Sequence, residues 1–275
     1  MNHTFVVCAY RESPYLRECL HSLQKQTVRS RIVISTSTPN EAICNAAKEF
    51  GLEVRVNQGE TGIAGDWNFA LQQARTPLVT LAHQDDLYLP DYTRKVLQAY
   101  KKKRNAIILF TDYRELREKE ETVPGKRGRN KGSKGRWQES ESRLVQVKRI
   151  MLLPLRSPAL QDSRWIRRRV LSFGNAICCP SVTYVKKRVP EKPFAGSMKS
   201  NIDWQAWEQL SRRKGSFVYI PEKLMLHRIH SGSTTSGLVS DHARMEEDLY
   251  VLRRFWPGKM PELVWRLYGS NEKYQ

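Results

Sequence analysis

The segment Thr76–Pro90, with the sequence TPLVTLAHQDDLYLP, decides the fold of this chain. Its apolar run Leu78–Ala82 has the length and residue types of a buried β-strand. The run is followed closely by Asp85 and Asp86, and two adjacent carboxylates at the end of a buried strand repel each other. A divalent metal carrying a phosphate would compensate this charge, because carboxylate oxygens suit Mg²⁺ or Mn²⁺. On these residues alone, a solvated acidic turn explains the pair equally well.

The residues before this segment alternate between strand and helix patterns. Three further strands are predicted at Phe5–Ala9, Arg31–Ser35 and Leu52–Val56. Ser13 is predicted as the N-cap of the first intervening helix, with Pro14 at its first position. This alternation predicts an α/β fold with a doubly wound, mostly parallel sheet, in which ligands bind at the carboxyl ends of the strands. At that rim the sequence places Tyr10, the turn Thr36–Asn40 and the pair Asp85–Asp86.

Charge indicates an anionic partner. The net charge is +19, and the segment from Arg114 to Val170 alone has 17 lysines and arginines against 7 acidic residues. Anionic lipid, a phosphorylated substrate and nucleic acid all remain possible on charge alone. No RNA-binding motif, zinc finger or helix-turn-helix pattern is present, so nucleic acid is not expected as a partner.

The composition, with 40% hydrophobic and 27% charged residues, is that of a globular protein. No signal peptide is expected, and the longest uncharged stretch, Leu171–Val185, is interrupted by Gly and Pro. The five cysteines have no metal-ligand spacing, which favours reduced thiols in a cytoplasmic protein.

The middle of the chain differs in composition from the rest. Gly125–Arg136 is basic and glycine-rich and is predicted as a mobile surface loop. Amphipathic basic helices are predicted at Arg143–Leu153 and Asp162–Phe173. Aromatic and aliphatic residues beside arginines suit the inner face of a membrane with anionic lipid. Packing of these helices on the sheet, with the arginines in water, is the alternative. A helical extension is predicted at Asp241–Gln275.

Several motifs in order resemble family 2 glycosyltransferases of the GT-A fold. They are the turn Ala9–Ser13, the helix end Gln26–Thr27, the segment Gly62–Asn68, the acidic pair Asp85–Asp86 at the DxD position, the helix start Asn201–Glu208 and the segment Arg228–His230. One departure concerns the base of the nucleotide. The second strand of the family usually ends in an aspartate that reads uracil, whereas this chain has Ser35–Thr38, so hydrogen bonds from Thr36 or Asn40 are expected instead.

The resemblance implies roles for individual residues. Asp203 would be the catalytic base, although N-capping of its helix is a competing explanation that can coexist. Mn²⁺ or Mg²⁺ would be bound by Asp86 and His230, and Trp204 and Trp207 would line the acceptor site. The nucleotide-sugar would be bound by Ala9, Tyr10, Glu12, Thr36, Asn40, Gly62, Asp66, Asn68, Gln84, Asp85 and Arg228.

The implied activity is inverting, metal-dependent transfer of a sugar from a nucleotide-diphosphate sugar, a UDP-sugar, to a hydroxyl of a glycan or lipid-linked saccharide in bacterial cell-surface polysaccharide synthesis. Residues 1–113 would form the nucleotide-sugar half, 114–172 a basic insertion, 173–236 the acceptor-binding and catalytic half, and 237–275 a helical extension. A basic nucleic-acid- or membrane-binding scaffold with an inactive glycosyltransferase-like fold is the alternative. A nucleotidyltransferase would require a basic, glycine-rich loop after the first strand, which this sequence does not have.

Overall fold

The computed structural model describes residues 1–118, 137–195, 198–230 and 241–272, in the last range without the side chains of 241–243 and 268–272. The predicted basic loop Gly125–Arg136 lies outside these ranges. Within them, no helix has both the length and the apolar character that crossing a membrane requires.

The chain forms nine strands and nine α-helices over the described ranges. The strands are β1 (His3–Ala9), β2 (Arg31–Thr36), β3 (Glu53–Val56), β4 (Leu78–His83), β5 (Leu87–Tyr88), β6 (Ala106–Glu118), β7 (Trp137–Ser140), β8 (Val182–Val185) and β9 (Ser216–Ile229). The helices are α1 (Leu16–Gln24), α2 (Glu41–Phe50), α3 (Ile63–Gln73), α4 (Tyr92–Lys102), α5 (Arg143–Leu152), α6 (Arg164–Leu171), α7 (Ile202–Ser211), α8 (Asp241–Leu252) and α9 (Met260–Glu272).

All nine strands belong to one sheet with the order β3-β2-β1-β4-β8-β6-β9-β5, and β7 pairs with β6. The strands β1 to β4 are parallel neighbours, whereas β8 is antiparallel to both β4 and β6. Ala9 is opposite Thr36, and Cys8 is opposite His83. The predicted α/β fold with a mostly parallel sheet is confirmed, and the ends of the first, second and fourth strands do share one rim.

Strand β9 is longer than its apolar pattern predicts. The pattern ends at Ile220, but the strand continues to Ile229 because its second half pairs with β6 on one side and with the short β5 on the other. In the pairing with β5, Leu87 is opposite Leu226. This contact brings residues 227 and 228 against the acidic turn, which precedes β5 directly.

The packing of the core contradicts the prediction that Trp204 and Trp207 line the acceptor site. Trp204 and Trp207 are buried, with 1% and 0% of their surfaces exposed. The indole N–H of Trp204 donates to the Leu171 carbonyl oxygen at 3.0 Å, and Trp207 stacks on Tyr184. Because α7 packs between the sheet and α6, both rings fill the core, and neither has an exposed face on which a sugar can stack.

Candidate active site

Asp86 is the centre of the acidic turn and is almost fully buried, with 1% of its surface exposed. Its Oδ1 accepts hydrogen bonds from the backbone N–H of Arg228 at 2.9 Å and from His227 Nδ1 at 3.0 Å. Its Oδ2 is buried and has no hydrogen-bond partner among the described residues. A buried carboxylate oxygen without a partner costs free energy, so this atom is the one that a further cation would stabilise.

Two histidines near Asp86 have opposite preferences for charge. Burial disfavours a charged His227, but the carboxylate and the hydrogen bond of Asp86 outweigh burial and raise the pKa of His227 above its ordinary value. Burial lowers the pKa of His83, whose ring stacks on Trp67 with the centroids 5.2 Å apart. The acidic turn is therefore accompanied by one imidazole that favours the cationic form and one that favours the neutral form.

Asp85 is partly buried and is held by residues from two other segments. Ser13 Oγ donates to Asp85 Oδ1 at 2.7 Å, and His230 Nε2 lies 3.4 Å from Asp85 Oδ2. The prediction of Ser13 as a helix N-cap is wrong, because α1 begins at Leu16 and its N-cap residue Tyr15 makes no side-chain capping bond. The Ser13 hydroxyl instead accepts the Tyr15 N–H and donates to Asp85.

Arg228 joins the acidic turn to the first helix and to β7, and its side chain is fully buried. The guanidinium carbon lies 4.3 Å from the centroid of the Tyr15 ring and 4.5 Å from that of the Trp137 ring, and these two rings contact each other edge to face. Nε donates to the Asp85 carbonyl oxygen at 2.9 Å, and Nη2 donates to Glu18 Oε2 at 2.6 Å. Nη1 has no partner in the described part of the chain. Nη1 is therefore the group left for the predicted contact with a diphosphate.

Asp203 lies in the first turn of α7 with both carboxylate oxygens hydrogen-bonded. Asn175 Nδ2 donates to Oδ2 at 2.8 Å, and the backbone N–H of Trp204 donates to Oδ1 at 2.7 Å. Burial raises the pKa of Asp203, against the lowering effects of these hydrogen bonds and of the Lys148 charge. A carboxylate with a raised pKa is suited to accept a proton near neutral pH. The N-cap residue of α7 is Asn201, whose side chain makes no capping bond. The prediction of Asp203 as an N-cap is therefore wrong, and its carboxylate instead binds the N–H of the residue that follows it.

Asp86 and Asp203 come from different segments, and the charges of both act on one half-buried thiol. The pKa of Cys178 is raised first by burial and then by the negative charges of Asp86 and Asp203, whereas the positive charge of Lys148 lowers it. Lys148, on α5, makes no ion pair or hydrogen bond within the described ranges. The electrostatic environment of this thiol thus includes two carboxylates and an ammonium group that has no partner among the described residues.

The turn after β1 is bound to the residue that precedes the acidic pair. The Tyr10 N–H donates to Gln84 Oε1 at 3.1 Å, and Gln84 Nε2 donates to the Tyr10 carbonyl oxygen at 2.9 Å. Ala9 is buried, Glu12 is exposed, and the Tyr10 side chain is 47% exposed. Gln84 is thereby committed to the backbone, whereas a ligand can reach the ring of Tyr10 and the side chain of Glu12.

The turn after β2 uses its own polar side chains, which corrects the expectation for Thr36 and Asn40. Thr36 is buried, and its Oγ1 accepts the Thr38 N–H at 3.0 Å. Asn40 is the N-cap of α2, and its Oδ1 accepts the Ile43 N–H at 3.0 Å. Short polar side chains compete well for nearby backbone donors in turns, so both residues hold the turn rather than face a nucleotide.

A carboxylate reaches this turn from α3. Asp66 Oδ2 accepts a hydrogen bond from Ser37 Oγ at 2.8 Å, and Oδ1 accepts one from Asn57 Nδ2 at 2.8 Å. The preceding loop approaches α3 so closely that a Cβ at Gly65 would clash with the Glu60 carbonyl oxygen. Asp66 is therefore fixed beside the end of β2, where the strand itself has no acid.

Asn68 and Gly62 have structural roles in the same helix. Asn68 is buried, its Nδ2 donates to the Phe194 carbonyl oxygen at 2.8 Å, and its Oδ1 accepts the Phe194 N–H at 3.1 Å. Both polar atoms of this amide are used, so the structure corrects the expectation that Asn68 contacts the nucleotide. Gly62 precedes α3 with a φ of 91°, a conformation that favours glycine.

No three or more His, Cys, Asp or Glu side chains in the described ranges are grouped as a metal site. The predicted ligands are nevertheless compatible with a divalent ion. Asp86 Oδ2 and His230 Nε2 are both buried and have no hydrogen-bond partner among the described residues, and Asp85 supplies a second carboxylate next to His230. Carboxylate oxygens and an imidazole nitrogen suit Mn²⁺, and the oxygens alone suit Mg²⁺.

Comparison with known protein families agrees with this geometry. The model of the family described as "Glycosyl transferase family 2" matches residues 4–172, which include the whole rim from β1 to the acidic turn. This chain is a family 2 glycosyltransferase. The match ends before Asp203, so it does not cover the proposed base. A comparison with curated protein sequences gives no match.

Solved structures with similar folds are glycosyltransferases as well. S. aureus TarS 1-349 in complex with UDP-GlcNAc has a TM-score of 0.63 and 15% identity, with 96% of this chain and 70% of that chain covered. The mannosyltransferase PcManGT from Pyrobaculum calidifontis, in complex with GDP-Man and Mn²⁺, has a TM-score of 0.56 and 12% identity, with coverage of 92% and 62%. Glucosyl-3-phosphoglycerate synthase from Mycobacterium tuberculosis has a TM-score of 0.55 and 10% identity, with coverage of 94% and 81%. These similarities support the GT-A fold of this glycosyltransferase.

Sequence reasoning missed several residues of the site. They are Ser13, Ser37, His83, Lys148, Asn175 and His227. Asn175 follows a glycine at the start of a long apolar stretch, which is a detectable signal for a buried polar role. His227 and Lys148 gave no such signal, because their neighbours in sequence do not predict which segments they contact.

Proposed function

We propose that this family 2 glycosyltransferase transfers a sugar from a nucleotide-diphosphate sugar to a hydroxyl of a glycan or lipid-linked saccharide, with inversion at the anomeric carbon. The observation that carries the proposal is the position of Asp203. Both oxygens of its carboxylate are held by hydrogen bonds at the start of α7, burial raises its pKa, and its charge acts together with that of Asp86 on the Cys178 thiol. One carboxylate is thus fixed in position and suited to accept a proton from a hydroxyl.

In the proposed reaction, the acceptor hydroxyl oxygen forms a bond to the anomeric carbon while the bond from that carbon to the diphosphate oxygen breaks. Asp203 accepts the hydroxyl proton, and the nucleoside diphosphate leaves with the electron pair of the broken bond. Asn175 fixes the orientation of the Asp203 carboxylate. A well-placed general base contributes about 10²–10⁴-fold to the rate.

The leaving diphosphate would be surrounded by positive groups. Lys148 is unpaired within the described ranges, and the unpartnered Nη1 of Arg228 lies beside the acidic turn. Asp86, Asp85 and His230 would hold Mn²⁺ or Mg²⁺, which would neutralise charge on the diphosphate. Stabilisation of developing charge by groups already in place is a large contribution to catalysis of this kind.

We further propose that the donor is a UDP-sugar. The Asp66 carboxylate beside Ser37 can accept a hydrogen bond from the imide N–H of uracil. The same carboxylate would face the ring nitrogen acceptor of cytosine or adenine, and this contact would be repulsive. TarS, with UDP-GlcNAc bound, supports this class of donor, whereas PcManGT, with GDP-Man, keeps guanine as the alternative.

We also propose that helices α5 and α6 contact the inner face of a bacterial membrane, as a peripheral enzyme of cell-surface polysaccharide synthesis would. Exposed apolar residues cluster along α5 and α6, where Trp165 is 66% and Ile150 is 64% exposed. Arg169 stacks on Trp165 and Trp256, and neither helix contains an acidic residue. Exposed aliphatic and aromatic side chains beside arginines favour an anionic membrane surface, which could present a lipid-linked acceptor.

The role of Asp203 is tested by the Asp203→Asn variant, with donor binding and sugar transfer measured separately. Asparagine keeps the shape of the side chain but cannot accept the proton. Transfer should fall by about 10²–10⁴-fold, while the affinity for the donor nucleotide stays within a factor of about two. An equal loss of donor binding and of sugar transfer would contradict the assignment of Asp203 as the base.

The donor site is tested by thermal unfolding with Mn²⁺ and a panel of UDP, GDP, CMP, TDP and ADP. A nucleotide at 100 times its dissociation constant adds about 2.7 kcal/mol to the stability of the folded state. A metal-dependent rise in melting temperature with UDP, absent in Asp86→Asn, is expected. A well-folded protein that responds to none of the nucleotides would favour the inactive scaffold instead.

A further inference from the structure

A second charged feature lies at the opposite end of α7 from Asp203. Four basic residues line a cavity of about 340 Å³, which we call the basic cavity: Lys187, Arg188, Arg213 and Lys214. The first two follow β8, and the last two follow α7. Helix α7 has 10 residues, so its ends are about 15 Å apart. The basic cavity is therefore separate from the site around Asp86.

The four cations have no carboxylate to balance them. None of their side chains forms an ion pair or a hydrogen bond within the described ranges. The Nε of Arg188 is buried and has no partner there. Like charges around one cavity repel each other, and a buried donor on a charged group without a partner costs free energy. An anion in the basic cavity would relieve both costs.

The C-terminus of α7 does not account for these cations. Basic residues often follow a helix because they interact with its free carbonyl groups and its dipole. In α7 this role is taken by Arg167, whose buried guanidinium donates to the carbonyl oxygens of Ser211, Arg213 and Gly215. The side chains of Arg213 and Lys214 are therefore left to face the basic cavity.

We propose that the basic cavity binds a phosphate group. Guanidinium groups match the oxygens of phosphate in geometry and charge, and lysine adds a mobile point charge. The phosphate could belong to a soluble or polymeric polyanion or to a lipid headgroup. The proposal goes beyond the transfer reaction and does not depend on it, because the basic cavity contains none of the residues proposed to bind donor or acceptor.

The test uses tripolyphosphate as the probe in isothermal titration calorimetry, with EDTA present to remove metal-dependent binding at Asp86. Two variants each neutralise half of the basic cavity, Arg188→Gln/Arg213→Gln and Lys187→Gln/Lys214→Gln. Lys101→Gln/Lys102→Gln removes two exposed cations of α4 and is the matched control. Saturable binding should weaken at least about tenfold in the cavity variants and less than about twofold in the control.

The same variants distinguish the source of the phosphate. Co-sedimentation is measured with phosphatidylglycerol vesicles and with phosphatidylcholine vesicles. Loss of binding to phosphatidylglycerol in the cavity variants alone would assign the site to lipid headgroups, and unchanged vesicle binding would assign it to a soluble or polymeric phosphate. Absence of saturable tripolyphosphate binding, or equal weakening in cavity and control variants, would overturn the proposal. The urea unfolding midpoint of each variant, measured without nucleotide, verifies that the fold is intact.

Discussion

Asn175 offers a direct test of how the pKa of Asp203 is set. Its Nδ2 donates a 2.8 Å hydrogen bond to Asp203 Oδ2, which stabilises the charged carboxylate. A hydrogen bond to a charged group contributes about 1.5–3 kcal/mol, and one pKa unit corresponds to about 1.4 kcal/mol. The Asn175→Ala variant should therefore raise the pKa of Asp203, already raised by burial, by a further 1–2 units or so.

The assay is the initial rate of sugar transfer as a function of pH, with the donor saturating. A general base must be deprotonated, so the rate falls as the pH falls through its pKa. In Asn175→Ala the acid side of the profile should move to higher pH, while the plateau at high pH stays near the wild-type rate. Asn175→Asp is isosteric and cannot donate to the carboxylate, so it should move the acid side in the same direction.

An acid side that stays at the same pH in a stably folded Asn175→Ala protein would refute the reasoning. It would mean either that Asp203 is not the titrating base or that the bond from Asn175 does not set its pKa. A rate reduced by one factor at every pH would also contradict it, because such a loss indicates displacement of the carboxylate rather than a changed pKa.

Three further predictions concern stability. Arg228→Met should lower the free energy of unfolding by about 1–3 kcal/mol, because it removes hydrogen bonds to Glu18 and to the Asp85 carbonyl oxygen together with contacts to two aromatic rings; a loss below about 0.5 kcal/mol in urea unfolding would contradict this role. Trp207→Phe should lower the free energy of unfolding but leave the KM for the acceptor unchanged. A rise in that KM alone would indicate that the Trp207 indole contacts the acceptor. The folded pKa of His227 is raised, so its contribution to stability is fully present below its unfolded pKa of about 6.5 and is lost as the pH rises through the folded pKa. His227→Gln should remove this loss from the pH dependence of unfolding, and an unchanged pH dependence would contradict the coupling to Asp86.

Local patterns were sufficient for most of the secondary structure and for the position of the acidic turn. Strands β1, β2 and β4 and the helices between them follow from short apolar runs and helical spacing. The helices α5 and α6 were predicted within two residues at either end. The C-terminal boundary of β9 could not be predicted in this way. The second half of the strand is polar in places and becomes a strand only by pairing with β5 and β6.

The assignment of individual side chains was less successful where burial decided the outcome. Thr36, Asn40 and Asn68 are polar and close to the predicted rim, but all three satisfy nearby backbone groups. Trp204 and Trp207 belong to the core. A sequence motif gives the residue type and its approximate position, but not whether a competing backbone donor or a packed neighbour occupies that side chain first.

The sequence by itself determined the fold class, because the alternation of strands and helices is a local feature of the chain. The tertiary structure alone decided which residues surround the acidic pair. His227 and Arg228 reach Asp86 across more than 140 residues of sequence, and Asp66 of α3 places a carboxylate beside Ser37 at the end of β2. Such contacts follow from strand order, register and burial, which depend on the whole chain and not on any one segment of it.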